Sequence, residues 1–147
     1  MNAKTGFRPF RIKGGDKQVQ KYIEDLRAQI VRAAQPQQII LFGSYAYGEP
    51  HADSDVDLLV VMPFEGSPQR QAFKIRTQIH APRALDLLVR TPEYVAEQLA
   101  QDDFFVREII QQGQVIYEAD DTEMDQQSGR RLGQRAAGSS GDTVAEL

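Results

Sequence analysis

The stretch "LFGSYAYGEPHADSDVDLLVV", residues 41–61, sets a Gly-Ser turn after one apolar run and three alternating aspartates, Asp53, Asp55 and Asp57, before the next. On a strand, side chains two apart share a face with Cα atoms roughly 7 Å apart, so Asp55 and Asp57 project together from the start of a strand. Two carboxylates so placed can clasp one hard cation. A third acid, Asp86, sits within "ALDLLV", where an unpaired carboxylate is costly to bury and its charge needs compensation. If that strand lies beside the second, a shared metal site is the simplest compensation. All-oxygen ligation favours Mg2+ or Mn2+, and carboxylate-bound Mg2+ completes its shell with waters and substrate phosphates. Gly43 and Ser44 suit the phosphate: glycine lets backbone approach an anion, and serine can cap the short helix suggested by "SYAY". Gly48 would end that turn.

Other readings of these residues differ in how much they explain. Asp53, Asp55 and Asp57 imitate the opening of a calcium EF-hand loop, but Leu58 replaces the glycine at its sixth position and Phe64 the glutamate at its twelfth. An Asp-x-Asp pair also occurs in nucleotide-sugar glycosyltransferases, which leaves the Gly-Ser turn unexplained. Ordinary structural roles exist as well: Asp53 as a solvated turn residue, Asp86 paired with Arg83 or Arg76, Ser44 as a helix cap only. His51 and His80 read as surface residues, Phe104 and Phe105 as core, and Tyr45 and Tyr47 as cover for the sheet edge rather than a stacking platform for a nucleobase.

The elements around these residues can be read from periodicity and punctuation. Asp16 can cap a helix whose apolar residues Val19, Tyr22, Ile23, Leu26, Ile30 and Val31 recur in steps of three and four until Pro36 stops it. "QQIILFG" at 37–43 and "VDLLVVM" at 56–62 read as covered central strands, and "RALDLLVR" at 83–90 looks the same. Between the last two, "PQRQAFKIRTQIH" from Pro68 has the length of a helix with proline in its first turn. After the capping signal Thr91-Pro92, "EYVAEQLA" and "DFFVREIIQQG" read as helices, with Gly113 as a stop before an edge strand, "QVIYEA". The expected fold is α/β, a small mixed sheet with packed helices. Residues 1–15 read as an irregular N-terminal arm, 16–119 as the domain, and 120–147 as a tail too poor in large apolar residues to order itself without a partner.

Composition excludes several classes of function. The 147 residues include no cysteine, which removes disulfides, thiol nucleophiles and Cys-based zinc sites. Two histidines cannot build a three-His or His-Glu-His zinc set, so a metal here is held mainly by oxygen. The opening residues lack the apolar core of about 7 to 15 residues that marks a signal peptide, and no run approaches a membrane span; a soluble, cytoplasmic protein is expected. The net charge of −4 makes a general nucleic-acid binder an unexpected reading.

"GSYAYGEPHADSDVDLLVV" resembles the Gly-Ser, ten-residue spacer, Asp-x-Asp signature of the DNA polymerase β-like nucleotidyltransferases, with ten residues between Ser44 and Asp55. The short chain is similar to the minimal nucleotidyltransferase (MNT) group, and "RALDLLVRTPEYV" to the strand that carries the family's third carboxylate. The resemblance spans roughly residues 16–117. It implies a nucleotidyltransferase fold and attack of an acceptor hydroxyl on the α-phosphate of a nucleoside triphosphate such as ATP, with release of pyrophosphate. By the same carry-over Asp55, Asp57 and Asp86 hold the metal, and Gly43 and Ser44 hold the outgoing phosphates. Many members carry arginine where this chain has Tyr47, so another cation, Lys74 or Arg76, would have to compensate. Many small members resemble antitoxins acting beside a helical HEPN toxin, some by transferring AMP onto it. No Arg in this chain is followed by His with four to six residues between them, so that partner would be a separate protein. A non-catalytic antitoxin that occludes its toxin and an aminoglycoside-type nucleotidyltransferase are the alternatives the resemblance leaves open.

Overall fold

The computed structural model describes residues 5–120. Phe7–Glu118 form one compact unit. The expectations for residues 1–4 and 121–147, which include most of the proposed tail, lie outside the described residues.

Helix α1 spans Lys17–Ala34, started by Asp16, whose carboxylate accepts from the Gln18 and Val19 amides. Its buried stripe is Val19, Tyr22, Ile23, Leu26 and Ile30, the three-and-four spacing visible in the sequence. Strand β1 (Gln38–Phe42) leads into the one-turn helix α2 (Ser44–Tyr47) and returns as β2 (Val56–Val61). Helix α3 (Pro68–Arg76) then crosses to β3 (Leu85–Arg90), and α4 (Pro92–Ala100) and α5 (Phe104–Gln112) precede β4 (Gln114–Glu118). Ser67 and Thr91 cap α3 and α4 through their hydroxyls, each with proline at the start of the helix.

The sheet order is β3-β2-β1-β4, with β2 and β3 parallel and the other neighbours antiparallel. It is mixed because β1 and β2 are joined by a short connection, whereas the parallel pair needs the α3 crossover. Alternation sorts the strand residues onto two faces. Ile39, Leu41, Leu58, Val60, Leu87 and Val89 lie on one, all buried, where α1 and the α3 crossover supply the cover. Ile40, Phe42, Leu59 and Val61 lie on the other and cluster with Ile109 of α5, while Tyr47, Leu88 and Val95 pack around them.

Three expectations change. Strand β3 is at the sheet edge, not central; its alternate residues Asp86, Leu88 and Arg90 are only partly covered or exposed. Helix α3 ends at Arg76 rather than continuing toward His80, because Gln29 of α1 receives the His80 amide and donates to its carbonyl, turning the chain off the helix axis. Phe104 and Phe105 are 69% and 51% exposed, not core; in the first turn of α5 they sit beyond the stripe formed by Val106 and Ile109. The lead-in is irregular but attached: Ile12 is buried, the Arg8 amide donates to the Ile116 carbonyl, and the Arg27 guanidinium lies over the rings of Phe7 and Phe10. No helix among the described residues is long and apolar enough to cross a membrane.

Candidate active site

Strand register builds the site. The antiparallel β1–β2 pairing sets Phe42 opposite Asp57, and the parallel β2–β3 pairing sets Asp57 beside Asp86. These residues therefore share one face at one end of the sheet, and Gly43 follows Phe42 at that same end. Gly43 has φ 76° and ψ −156°, and a Cβ built on it would stand 2.1 Å from Asp57 Oδ2. The Asp57 carboxylate thus leans across the turn in space that only glycine leaves open.

The local capping differs from expectation. Gly43 occupies the cap position and Ser44 is the first helical residue, with no side-chain cap bond; the Gly43 carbonyl accepts from the Ala46 and Tyr47 amides. Gly48 closes the turn as read from the sequence, its amide donating to the Ser44 carbonyl at 3.0 Å.

Asp57 is half-buried, and its carboxyl is pushed up to about 6, first by burial, then by the negative charge and hydrogen bond of Asp86, with the Asp55 charge adding least. Asp57 therefore keeps its proton to a higher pH than an ordinary carboxyl, and a divalent cation would relieve the same repulsion. Asp86 is exposed, so the expected cost of burying it falls on Asp57 instead. Neither Arg83 nor Arg76 forms an ion pair with it: among the described residues the ion pairs join Arg8 to Glu118 and Arg107 to Asp102, and Arg76 donates to the Leu85 carbonyl. Asp55 is exposed, and Asp53 is exposed in the preceding turn. Among the described residues no group of three or more His, Cys, Asp and Glu converges as a metal cluster. The structure therefore brings Asp57 and Asp86 together and leaves Asp55 beside them. Two converging carboxylates are within what Mg2+ accepts, since its remaining positions go to waters and substrate phosphates.

Tyr47 is half-buried against the apolar cluster of this face. Burial pushes its hydroxyl up, a backbone hydrogen bond from Gly43 opposes that, and the Glu108 and Asp57 carboxylates raise it further. The position that would hold an arginine is thus a neutral hydroxyl facing acids. Of the two cations considered in its place, Lys74 and Arg76 are both exposed on α3, and Arg76 donates to the Leu85 carbonyl, next to Asp86. Glu108 was invisible in the sequence, for it sits mid-helix with no spacing relation to the aspartates. His51 and His80 are exposed, as expected.

A family model described as polymerase beta, nucleotidyltransferase matches residues 24–122, more than half of the chain, and takes in Gly43, Ser44, Asp55, Asp57 and Asp86. Among solved structures, that of a provisionally assigned nucleotidyltransferase from Sulfolobus solfataricus is similar over 72% of this chain and 91% of that one, with 18% identity and a TM-score of 0.46. No curated protein matches the sequence.

Proposed function

This chain belongs to the polymerase beta nucleotidyltransferase family, and from that premise we propose that it moves AMP from ATP onto an acceptor hydroxyl, with release of pyrophosphate. The observation that carries the reading is the facing pair Asp57 and Asp86 at the Gly43 end of the sheet, with the Asp57 carboxyl raised to about 6 by burial and its neighbour. Asp57, Asp86 and the adjoining Asp55 would hold Mg2+ or Mn2+, and the donor set fits because it is all oxygen and lacks a cation of its own. A bound divalent ion would activate the acceptor hydroxyl and offset charge on the phosphates. Gly43 and Ser44 would hold the departing phosphates on the β1 side. Asp86, exposed on the edge strand, is the carboxylate that an incoming hydroxyl meets on the opposite side. Attack there forms the bond from acceptor oxygen to the α-phosphorus, breaks the bond to the bridging oxygen, and gives the hydroxyl proton to a carboxylate or water.

The acceptor proposed is a helical HEPN toxin protein, with the chain acting as its antitoxin in the cytoplasm. Support for a protein acceptor comes from the exposed Tyr94, Leu99, Phe104, Phe105 and Ile110 of α4 and α5. A second reading, an antitoxin that only occludes its toxin, draws on Tyr47: a hydroxyl among acids is a poor substitute for arginine at a triphosphate. The test supplies Mg2+ and α-labelled ATP to the chain together with the product of a neighbouring reading frame that carries Arg-x4-6-His. Wild-type protein should label that partner, and Asp57→Asn should neither label it nor protect the cell. Equal protection by Asp57→Asn would establish occlusion instead.

A further inference from the structure

We propose that the open edge of β3 is a docking site for an extended, acidic segment of a partner protein, which adds there as a further strand and seats an apolar side chain beside Phe73. The proposal stands whether or not the chain transfers nucleotides.

Backbone direction in β3 shows which groups are open. The Val56 amide donates to the Ala84 carbonyl and the Met62 amide to the Arg90 carbonyl, so the even-numbered residues turn their backbone groups toward β2. Leu85, Leu87 and Val89 turn theirs the other way, and among the described residues no strand pairs with that edge. Arginines meet it instead. Arg76 of α3 donates to the Leu85 carbonyl, and Arg90 donates to the Val89 carbonyl. The two guanidinia are thus stationed four residues apart, roughly 13 Å along the edge.

Charge and shape select the occupant. Residues 68–90 carry Arg70, Lys74, Arg76, Arg83 and Arg90 against Asp86 alone, in a chain of net charge −4. A cavity of about 250 Å³ opens beside the edge, lined by Pro68, Ala72, Phe73, Arg76, Leu87 and Arg90, among others. Phe73 is 67% exposed, on a helix whose buried residue is Ile75. Cations on an edge strand discourage pairing with neutral strands, so what this edge admits is an acidic one. Its amides take the outward carbonyls, its carboxylates draw the guanidinia off those carbonyls into charge-assisted pairs, and an apolar side chain between them covers Phe73. A second copy of the chain fits poorly. Pairing β3 antiparallel with itself about Leu87 sets Leu85 opposite Val89, which brings Arg76 of each copy against Arg90 of the other.

The experiment measures, by fluorescence anisotropy, binding to the full chain of a labelled peptide, Thr-Glu-Val-Leu-Val-Glu-Thr, whose glutamates flank the leucine on one face. Wild type should bind it saturably, and Arg76→Glu, Arg90→Glu and Phe73→Ala should each weaken binding by about tenfold. The same peptide with lysine in place of both glutamates, or with N-methyl groups on the amides that face β3, should not bind. No saturable binding by wild type would overturn the proposal. Equal binding of the N-methylated peptide would also overturn it, and that comparison alters no residue of the protein, so misfolding of a variant cannot account for it. Tighter binding of a single-stranded oligonucleotide, lost in Arg76→Glu and Arg90→Glu, would overturn it in favour of nucleic acid. Self-association of the chain that Arg76→Glu abolishes would overturn it in favour of a second copy.

Discussion

The two faces of β2 are built from the same six residues to opposite ends. Val56, Leu58 and Val60 are 2%, 0% and 0% exposed on the face covered by α1 and α3, an unbroken hydrocarbon surface. The face under α4 and α5 keeps that character at Leu59 and Val61 and breaks it at the first position, where Asp57 stands half-buried beside Asp86. The difference teaches that the chemistry is placed at the end of a sheet whose stiffness is supplied elsewhere. Stability and reactivity should therefore separate by face, and substitutions can test that separation.

The largest expected effect is on catalysis. Asp57→Asn should lower nucleotidyl transfer by at least about a hundredfold, the scale of removing one charge-stabilising group from a preorganised site, while the chain remains folded. A labelled-nucleotide assay alongside circular dichroism measures both; an unfolded variant would break the comparison. On the other face, Leu58→Ala should cost about 2–5 kcal/mol of stability in urea titration, yet leave the rate per folded molecule close to wild type. Equal losses of rate and stability would mean the two faces are not independent.

Gly43→Ala probes the border between them. At φ 76° an L side chain costs on the order of 1–3 kcal/mol, and its Cβ would have to displace the Asp57 carboxylate. Reduced transfer together with modest destabilisation is expected, because the turn and the acid occupy one space. Unchanged activity would show that Asp57 does not need its present orientation.

A smaller effect concerns protons. The Asp57 carboxyl holds its proton to about 6 in the fold, against 3.8 as the ordinary value. Between those values the unfolded chain binds fewer protons, so stability without divalent ions should fall as pH rises through this window and level off above about 6. The two values set a ceiling of about 3 kcal/mol, lessened by water at a half-buried group. Thermal melts from pH 4 to 8 should show that fall in wild type, a flatter profile in Asp57→Asn, and recovery of the wild type with millimolar Mg2+. Asp86→Asn should give the smallest change, moving the fall to lower pH without abolishing it, since burial is the leading cause of the raised value.

Much of this arrangement is legible in the amino-acid sequence. The stripe of α1, the caps at Asp16 and Thr91, the stop at Gly113 and the ten-residue interval from Ser44 to Asp55 are local patterns, and local sterics and hydrogen bonding suffice to read them. Burial was misread where it depended on distant elements. β3 looked like a central strand because Leu85, Leu87 and Val89 on one face and Leu88 on the other make its run apolar on both sides, yet no periodicity shows that its outer edge is unpaired among the described residues. Phe104 and Phe105 looked like core because large aromatics usually are, but the helix stripe passes through Val106 and Ile109.

The sequence by itself determined which groups were available: three acids of matching type, a glycine where backbone must come close, and no thiol or imidazole set that could do the work differently. Spacing along the chain put Asp55 and Asp57 two apart, the interval that shares a face on a strand, although β2 begins at Val56 and Asp55 lies just before it. Only the tertiary structure decided that Asp86 stands beside Asp57 and that Asp57, not Asp86, is the acid whose charge is desolvated. It also brought Glu108 and Tyr47 to the border of the site. Those relations come from strand register and helix placement, which are set by the packing of residues far apart in sequence and leave no mark on the spacing of the residues they unite.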